Sequence, residues 1–491
     1  MSESPKIVGR VSPSGRNSTS IVPAHENVGL REEAANPTYR GMAADWKETS
    51  LATVIDVKHG FAFPGENIRD EPPGDILLTP GNFAIGGGFK GDKFKYFDGK
   101  FPEDYVLNEG DLLLTMTDLS KQADTLGYPA IVPKPRGPRF LHNQRLGKVL
   151  IKHGAELDQR FLFYLLRTAE YRNEILASAT GTTVKHTSPG RILAHKAALP
   201  PLPEQKAIAH ILGTLDDKIE LNRRMNATLE AMARALFQSW FVDFDPVRAK
   251  LDGRKPTSLD AATAALFPGH FQELFLGHIP QGWTVEPVGE VVACVGGGTP
   301  STTEPKFWEG GTHHWTTPKD FSSLQAPILL DTARKITDAG IAKISSGLLP
   351  AGTLLLSSRA PVGYLAIAAM PVAINQGFIA MKCNERASNF FMLNWCQTNM
   401  AEIVSRASGT TFAEISKQNF RPILVELPPK ELMAAFTEKV APLYAQITAN
   451  LHQSRTLAIL RDALLPKLLS GELNVPRFNQ DDKSVIPLLT T

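Results

Sequence analysis

The 491-residue sequence has only three cysteines, no long apolar run and almost no net charge. Cys294, Cys383 and Cys396 are odd in number and lack metal-ligand spacing, which favours reduced packing residues over disulfides or a metal site. No run of roughly 18 apolar residues occurs, and the N-terminus lacks a charged-then-apolar signal pattern. The sequence therefore predicts neither membrane insertion nor secretion, and the expected location is the cytoplasm.

The formal net charge of +2 means that overall basicity does not indicate a nucleic-acid partner, so any such indication must come from local clusters. Two clusters occur. Residues 125–155 and 339–384 contain lysine and arginine but no aspartate or glutamate. These stretches are candidates for contact with an anionic ligand, and an ordinary solvated basic surface is the alternative interpretation.

The sequence does contain a long internal repeat. ATGTT at 179–183 reappears as ASGTT at 407–411, and LPP at 199–201 reappears at 427–429, each 228 positions later (407 − 179 and 427 − 199). Further landmarks keep the same order, including TPGNF at 79–83 with TPKDF at 317–321, and Asn143-Gln144 with Asn375-Gln376. A repeat of this length far exceeds a solenoid unit and implies two similar domains facing two similar targets.

Each copy mixes short β-rich stretches, such as 111–117 and 353–358, with one predicted helix, at 158–177 and 388–405. After each LPP the composition changes to helix-forming residues. Their apolar positions recur every seven residues, which is the pattern of a coiled-coil seam. The predicted helix–helix seam consists of Leu215, Ile219, Asn222, Leu229 and Leu236 in the first copy and Leu443, Ile447, Asn450, Leu457 and Leu464 in the second.

Two such helices in one chain can bury their seams on each other as an antiparallel pair with a pseudo-twofold axis. Asn222 with Asn450, or Asn226 with Ser454, are predicted to fix the register, although a solvated edge is the alternative for these residues.

A break in each helical region is also predicted. Gly213-Thr214 and Ala441-Pro442 should divide a short helix from a long one of about 28 residues and about 42 Å.

The predicted fold class is therefore α+β, with two similar globular domains separated by two long helices that form an antiparallel coiled coil, in a pseudo-twofold internal duplication. The predicted divisions are a disordered leader at 1–45, a first domain at 46–200, a central helical region at 201–245, a linker at 246–281, a second domain at 282–428, a C-terminal helical region at 429–475 and a tail at 476–491.

The segment PLPEQKAIAHILGTLDDKIELNRRMNATLEAMARALFQSWFVDFDPVRAK at 201–250 closely resembles the central conserved region of specificity (S) subunits of type I restriction-modification enzymes, the HsdS family. The resemblance extends to GHIPQGWTVEPVGEV at 277–291 and to LRDALLPKLLSGELNV at 460–475. It implies that each globular copy is a target recognition domain, that the helices space the two domains, and that the chain recognises a split sequence in double-stranded DNA.

The resemblance also implies partners. Two modification (methyltransferase) subunits would dock on the helices and methylate adenine with S-adenosylmethionine, while restriction/translocase subunits would use ATP and Mg. No catalytic residue, cofactor or metal is expected in this chain itself. Candidate docking positions are Asp216, Lys218, Arg223, Arg224 and Glu230, with an ordinary solvated helix face as the alternative interpretation.

In a recognition domain, cations hold phosphates while Arg, Lys, Asn and Gln read base edges. The DNA-binding candidates are Arg139, Arg145, Thr182, Thr183, Lys185 and His186 in the first domain and Arg359, Thr410, Thr411, Lys417 and Gln418 in the second. The threonines lie beside a glycine and suit phosphate contact, and for them a plain turn is the alternative.

Two other functions stay open from the residues alone. The chain could be a duplicated protein scaffold that does not bind DNA, which salt-dependent DNA binding would distinguish. A methyltransferase would need a Gly-rich cofactor loop and an Asn/Asp-Pro-Pro-aromatic tetrapeptide. Asn36-Pro37-Thr38-Tyr39 resembles the tetrapeptide, but it lies in the polar leader with no such loop upstream, so it is interpreted as a chance match.

Overall fold

The computed structural model describes residues 46–120, 122–274, 277–409 and 413–475. The predicted leader and tail lie outside the described residues, as do Lys121, residues 275–276 and residues 410–412.

Two long helices organise the chain: the central helix, Leu202–Phe241, and the C-terminal helix, Lys430–Leu469, each of 40 residues. The predicted breaks are wrong, because both helices run straight through them. Gly213 leaves room for the Arg160 side chain, since a Cβ there would lie 2.4 Å from Arg160 Cζ. Thr214 Oγ1 donates back to His210 O within the helix, and Pro442 removes only one backbone hydrogen bond. Each helix is therefore about 60 Å long.

The first globular domain contains two main sheets. Its first and last strands, Lys47–Ser50 and Lys196–Leu199, pair antiparallel just before the central helix. The five-stranded sheet has the order Ile68–Arg69, Lys95–Phe97, Asp75–Leu78, Phe140–His142 and Val106–Leu107. The four-stranded sheet has the order Ile55–His59, Leu146–Ile151, Leu112–Thr115 and Pro129–Ile131, and a short ladder pairs Thr117–Asp118 with Lys185–His186. The α-helices are Leu51–Val54, Gln159–Leu165, Ala169–Ala177 and Pro189–Ala194.

The second globular domain repeats this plan. Strands Thr284–Pro287 and Leu424–Leu427 pair antiparallel just before the C-terminal helix. The five-stranded sheet has the order Ala293–Gly296, Phe378–Lys382, Leu354–Ser358, Val362–Ala368 and Ile328–Leu329. The three-stranded sheet has the order Arg334–Ile336, His313–Thr316 and Val372–Ile374. The α-helices are Val288–Val291, Pro318–Phe321, Asp338–Ile341, Asn389–Thr398, Met400–Ser405 and Lys417–Phe420.

Equivalent side chains start equivalent helices. Asp158 accepts a hydrogen bond from Phe161 N, and Ser388, 230 positions later (388 − 158), accepts one from Phe391 N. The single helices predicted at 158–177 and 388–405 are each divided in two. In the first domain, Thr168 is the N-cap of the helix Ala169–Ala177, and the preceding helix ends before this cap.

The two long helices pack antiparallel. Asp216 near the start of the central helix bonds Arg461 near the end of the C-terminal helix, whereas Phe241 packs edge-to-face on Phe436 at the opposite end, with ring centroids 4.9 Å apart. Tight aromatic pairs contribute about 0.5–1.5 kcal/mol beyond their buried area. Each end also belongs to one globular core: Phe436 to that of the second domain, and Leu468 with Leu469 to that of the first.

The segment predicted as a linker, 246–281, has structure of its own. It contains helices Asp245–Leu251 and Ala261–Ala265 and the hairpin Phe271–Leu274 with Gly277–Pro280. Phe267 packs perpendicular to Trp240 at 5.1 Å, which fastens the segment to the central helix. Among the described residues, no helix combines the length and apolarity needed to cross a membrane.

Candidate DNA interface and its supporting helix pair

In the first domain, three chain segments meet at one edge. Met116 N donates to Arg145 O (2.9 Å), and Thr187 N donates to Met116 O (3.0 Å). Strand Lys185–His186 continues this contact by pairing with Thr117–Asp118. We call this the first-domain edge: the turn 143–145, the segment 116–118 and the loop 180–187.

The second domain builds the same edge from equivalent residues. Ser358 N donates to Gly377 O (2.8 Å), and Ile415 N donates to Ser358 O (2.9 Å). The second-domain edge consists of the turn 375–377, the segment 358–360 and the described residues of 408–415. Two copies of one hydrogen-bonded surface are therefore present.

A glycine supports each turn from behind. A Cβ at Gly60 would lie 2.1 Å from Asn143 O, and a Cβ at Gly297 would lie 2.6 Å from Asn375 O, so only glycine fits at either position. Asn143 Oδ1 accepts from Arg145 N, and Asn375 Oδ1 accepts from Gly377 N, both at 2.9 Å. Both turns are therefore pinned by the glycine loop and by their own asparagine.

Most first-domain candidates lie together on this edge. Arg145, Thr182, Thr183 and His186 are exposed there and Lys185 is half-buried. Their nearest acid on the ladder, Asp118, is 4% exposed, and its carboxylate accepts from Ser120 N, Thr125 N and Thr125 Oγ1. Burial alone would raise the pKa of Asp118, but these hydrogen bonds lower it below its usual value. The negative charge of Asp118 is therefore directed into the domain, away from the exposed surface of the edge.

Arg139 is placed differently. It lies at the other end of strand Phe140–His142 from the turn, where its guanidinium bonds Asp75 (2.6 Å) and Glu103 (3.0 Å). These carboxylates raise its pKa and compensate its charge. The structure does not bring Arg139 to the first-domain edge, so its proposed DNA contact has no geometric support here.

The second-domain candidates also gather, with one difference in charge. Arg359 forms a 3.5 Å ion pair with Glu414, which stands where the first domain has His186 (414 − 186 is 228). Lys417 and Gln418 are exposed on helix Lys417–Phe420. Thr410 and Thr411 lie outside the described residues, and their role stays a prediction.

Sequence reasoning overlooked one pair. Gln144 and Gln376 are exposed at the tips of the two pinned turns. The Asn-Gln dipeptide recurs in both copies and was the available signal, but it carries no charge and lies outside any recognised motif.

The predicted seam is buried to different degrees. Ile447, Asn222 and Asn450 are buried, whereas the leucines and isoleucine Leu215, Ile219, Leu229, Leu236, Leu443, Leu457 and Leu464 are half-buried. The deepest contacts of the central helix follow a neighbouring line that includes Leu212, Asn226, Ala233 and Trp240. Seven-residue spacing located the helical surface but did not rank its members.

Polar residues meet at the middle of the helix pair. Asn222 Nδ2 donates to Ser454 Oγ (3.2 Å) and to Asn450 O (3.3 Å), and Asn450 Nδ2 donates to Asn226 Oδ1 (2.9 Å). The 228-residue offset exchanges the pairs Asn222–Ser454 and Asn226–Asn450, so the pseudo-twofold axis passes between them. Buried amides matched in this way specify one register, and the solvated-edge alternative does not hold.

The first domain joins the helix pair through a partly buried ionic cluster. Asp216 accepts from Tyr164 Oη (2.7 Å), Arg461 Nη1 (2.6 Å) and Arg167 Nη1 (3.4 Å). Burial lowers the pKa of Arg167. Asp216 therefore belongs to the domain junction and is not a free docking position.

At the position equivalent to Asp216, the second domain meets the C-terminal helix through neutral groups, while farther along that helix Arg455 bonds Asp331 of the second domain (2.6 Å). Tyr444 occupies the place of Asp216 (444 − 216 is 228), stacks on Phe390 at 4.7 Å and lies 3.4 Å from Asn394 Nδ2. The two junctions are equivalent in position and different in chemistry.

Glu230 on the central helix lines a groove of about 520 Å³ beside the second domain, together with Arg234, Tyr364 and Gln397. Burial raises the pKa of Glu230 to about 6, although Arg234 opposes the shift. Because the folded pKa exceeds its ordinary value, the charged form is disfavoured by folding, and stability falls as pH rises from about 4.5 through about 6.

We expect Glu230→Gln to remove this loss. The variant should be more stable than the wild type by about 1 kcal/mol at pH 8, after discounting for partial exposure, and equal to it near pH 4. Urea unfolding at both pH values measures the difference. Glu438→Gln, at an exposed glutamate on the C-terminal helix, is the control. A gain for Glu230→Gln that is the same at both pH values would contradict a titration effect.

The duplicated edges and the helix pair define a protein in which two similar domains, each with one candidate binding edge, are attached to an antiparallel pair of helices. A family model described as the type I restriction modification DNA specificity domain matches residues 43–231 and 280–453. These ranges cover each globular domain with most of its following helix. The chain belongs to this family and is a type I restriction-modification DNA specificity subunit with two target recognition domains.

The chain is similar to other proteins over different shares of its length. It is 28% identical over 482 residues to the HindI type I restriction enzyme specificity subunit of Haemophilus influenzae, covering 88% of this chain and 100% of that protein. It is 33% identical over 163 residues to the MjaIX specificity subunit of Methanocaldococcus jannaschii, covering 33% of this chain and 38% of that protein. The crystal structure of a type I S subunit from M. genitalium aligns with a TM-score of 0.48 at 18% identity, over 86% of this chain and 96% of that one.

Proposed function

We propose that each domain reads one half of a split DNA target through its edge, and that the helix pair sets the number of unspecified base pairs between the halves. The observation that carries this proposal is the repetition of one hydrogen-bonded edge in two domains joined to opposite ends of an antiparallel helix pair. Cations and amides on such an edge suit phosphate and base-edge contact in double-stranded DNA.

The dimensions are compatible with a ruler. Helices of 40 residues extend about 60 Å, and half-sites one turn apart on B-DNA are separated by about 34–36 Å.

The helices also offer a docking face for two modification subunits. Leu221, Met225 and Met232 are 48%, 36% and 53% exposed and lie on one side of the central helix. Arg223 and Arg224 beside them both bond Glu220, so this face is apolar and its positive charge is partly compensated. Such a surface fits the apolar side of a partner helix.

In this proposal the chain itself is non-catalytic. The modification subunits bind S-adenosylmethionine and methylate adenine, and restriction/translocase subunits bring ATP and Mg. The assembled complex acts in the cytoplasm.

Domain exchange tests the proposal. The chain would be co-expressed with its modification subunits, and methylated adenines would be mapped across a host genome by single-molecule sequencing. We expect a split motif with a fixed gap. Replacing residues 46–199 by a relative's first domain should change one half of the motif only. Absence of any motif from an assembled complex supplied with methyl donor would favour the scaffold alternative, as would DNA binding that is insensitive to salt.

A further inference from the structure

The two edges can be compared position by position, because the same backbone hydrogen bonds fix both. Several positions differ, although Gly181-Thr182-Thr183 recurs in the sequence as Gly409-Thr410-Thr411. Arg145 corresponds to Gly377, and His186 corresponds to Glu414. The exposed residue that both pinned turns keep is glutamine, Gln144 in one and Gln376 in the other.

The fold does not demand glutamine at this place. Asn143 and Leu146 close the first turn through a backbone bond of 2.9 Å, which any residue at 144 allows. Gln144 reaches the glycine loop only through its own backbone N–H, which donates to Phe61 O (2.9 Å). In the second domain, Gln376 Oε1 accepts from Thr299 Oγ1 (2.6 Å), which orients the amide at the surface.

Because the edges differ at the positions compared above, we expect the two half-sites to differ, and an exposed side chain retained at both edges should then contact what the half-sites share. The common feature of any two DNA sequences is the sugar–phosphate backbone. A glutamine amide has two N–H donors for phosphate oxygens and no charge.

On this basis, and resting on the split-target function proposed above, we propose that Gln144 and Gln376 are twin phosphate contacts. They set the position of each edge on the duplex. The base preference of each half comes instead from the positions that differ, Arg145 and His186 in one domain and Arg359 and Glu414 in the other.

The test uses the complex of the full chain with its modification subunits. Gln144→Ala should weaken binding about tenfold, both to a duplex that carries the mapped motif and to an unrelated duplex. The methylated motif should stay the same, as should the thermal unfolding midpoint. Gln376→Ala should behave in the same way, and the double variant should approach a hundredfold loss. Gln281→Ala, at an exposed glutamine in the linker segment, is the matched control and should bind like the wild type.

Phosphate contact can be located directly. A series of duplexes, each with one neutral methylphosphonate, should include a position that weakens the wild type but not Gln144→Ala. Relaxation of one base position in the motif of Gln144→Ala would overturn the proposal, because it identifies a base reader. A lower unfolding midpoint with unchanged DNA affinity would overturn it in favour of a structural role, and so would the absence of any effect. Failure of the wild type itself to yield a split motif would instead reject the underlying function.

Discussion

Inserting four residues into each long helix, after Leu229 and after Ile447, should lengthen the unspecified spacer by about one or two base pairs and leave both half-sites unchanged. The two points lie at the same level of the antiparallel pair, between the Asn226–Asn450 contact and the Phe241–Phe436 contact. Four residues add about 6 Å and a rotation of about 40°. One base pair adds about 3.4 Å and about 34°, so four residues correspond to about 1.8 base pairs in distance and about 1.2 base pairs in rotation. Methylation mapping reads the spacer directly.

The position of the insertions matters. Placed at one level in both helices, they preserve the Asn222, Asn226 and Asn450 cluster and both domain junctions. A four-residue insertion after Arg254, in the exposed part of the linker segment, lengthens the chain without lengthening the helix pair and should leave the spacer unchanged. An unchanged spacer in the helix variant, with both half-sites still methylated, would mean that the helices do not act as the ruler.

The broad architecture was predictable because a duplication leaves its record in spacing. The 228-residue offset located both long helices, and the antiparallel pair with asparagines at its middle is confirmed by the bonds among Asn222, Asn226 and Asn450. The continuity of each helix was not predictable. Gly213 resembles a break in the sequence, but its role is to admit Arg160 from the first domain, and that partner is 53 residues away (213 − 160).

The candidate site shows the same limit. Acid-free stretches selected both Arg145, which is an exposed cation on the first-domain edge, and Arg139, which lies away from that edge. Asp75 lies far outside the acid-free stretch and reaches Arg139 only through the parallel pairing of strands Asp75–Leu78 and Phe140–His142. Charge counted along the chain does not report charge compensated across a sheet.

The two junctions explain how one frame holds two domains with different local chemistry. The first uses a carboxylate shared among Tyr164, Arg167 and Arg461, whereas the second uses Tyr444 stacked on Phe390. Removing one member of a partly buried ionic cluster strongly destabilises the fold, because the remaining charges stay desolvated without their partner. An aromatic stack tolerates the loss of one hydroxyl, because most of its contact area is unchanged.

We therefore expect Asp216→Asn to lower the free energy of unfolding by about 3 kcal/mol. Asparagine keeps an acceptor oxygen but no charge, so Arg167, whose side chain is 8% exposed, would lose its carboxylate partner and keep its bond to Gly86 O (2.6 Å), and Arg461 would keep Asp462 as its carboxylate. Tyr444→Phe, at the equivalent position in the second copy, should cost less than about 1 kcal/mol, because it removes a single long bond to Asn394. Urea unfolding followed by tryptophan fluorescence and circular dichroism compares the two variants.

This pair of variants is informative because the duplication supplies its own control. Both substitutions change one polar group at the same place in the frame, where a recognition domain meets its long helix. A difference between them measures the consequence of using charge at one junction and an aromatic stack at the other. Equal losses would show that the shared carboxylate contributes no more than an ordinary hydrogen bond. A large loss confined to Asp216→Asn would instead mean that a new first domain must bring counterparts of Tyr164 and Arg167 in order to dock.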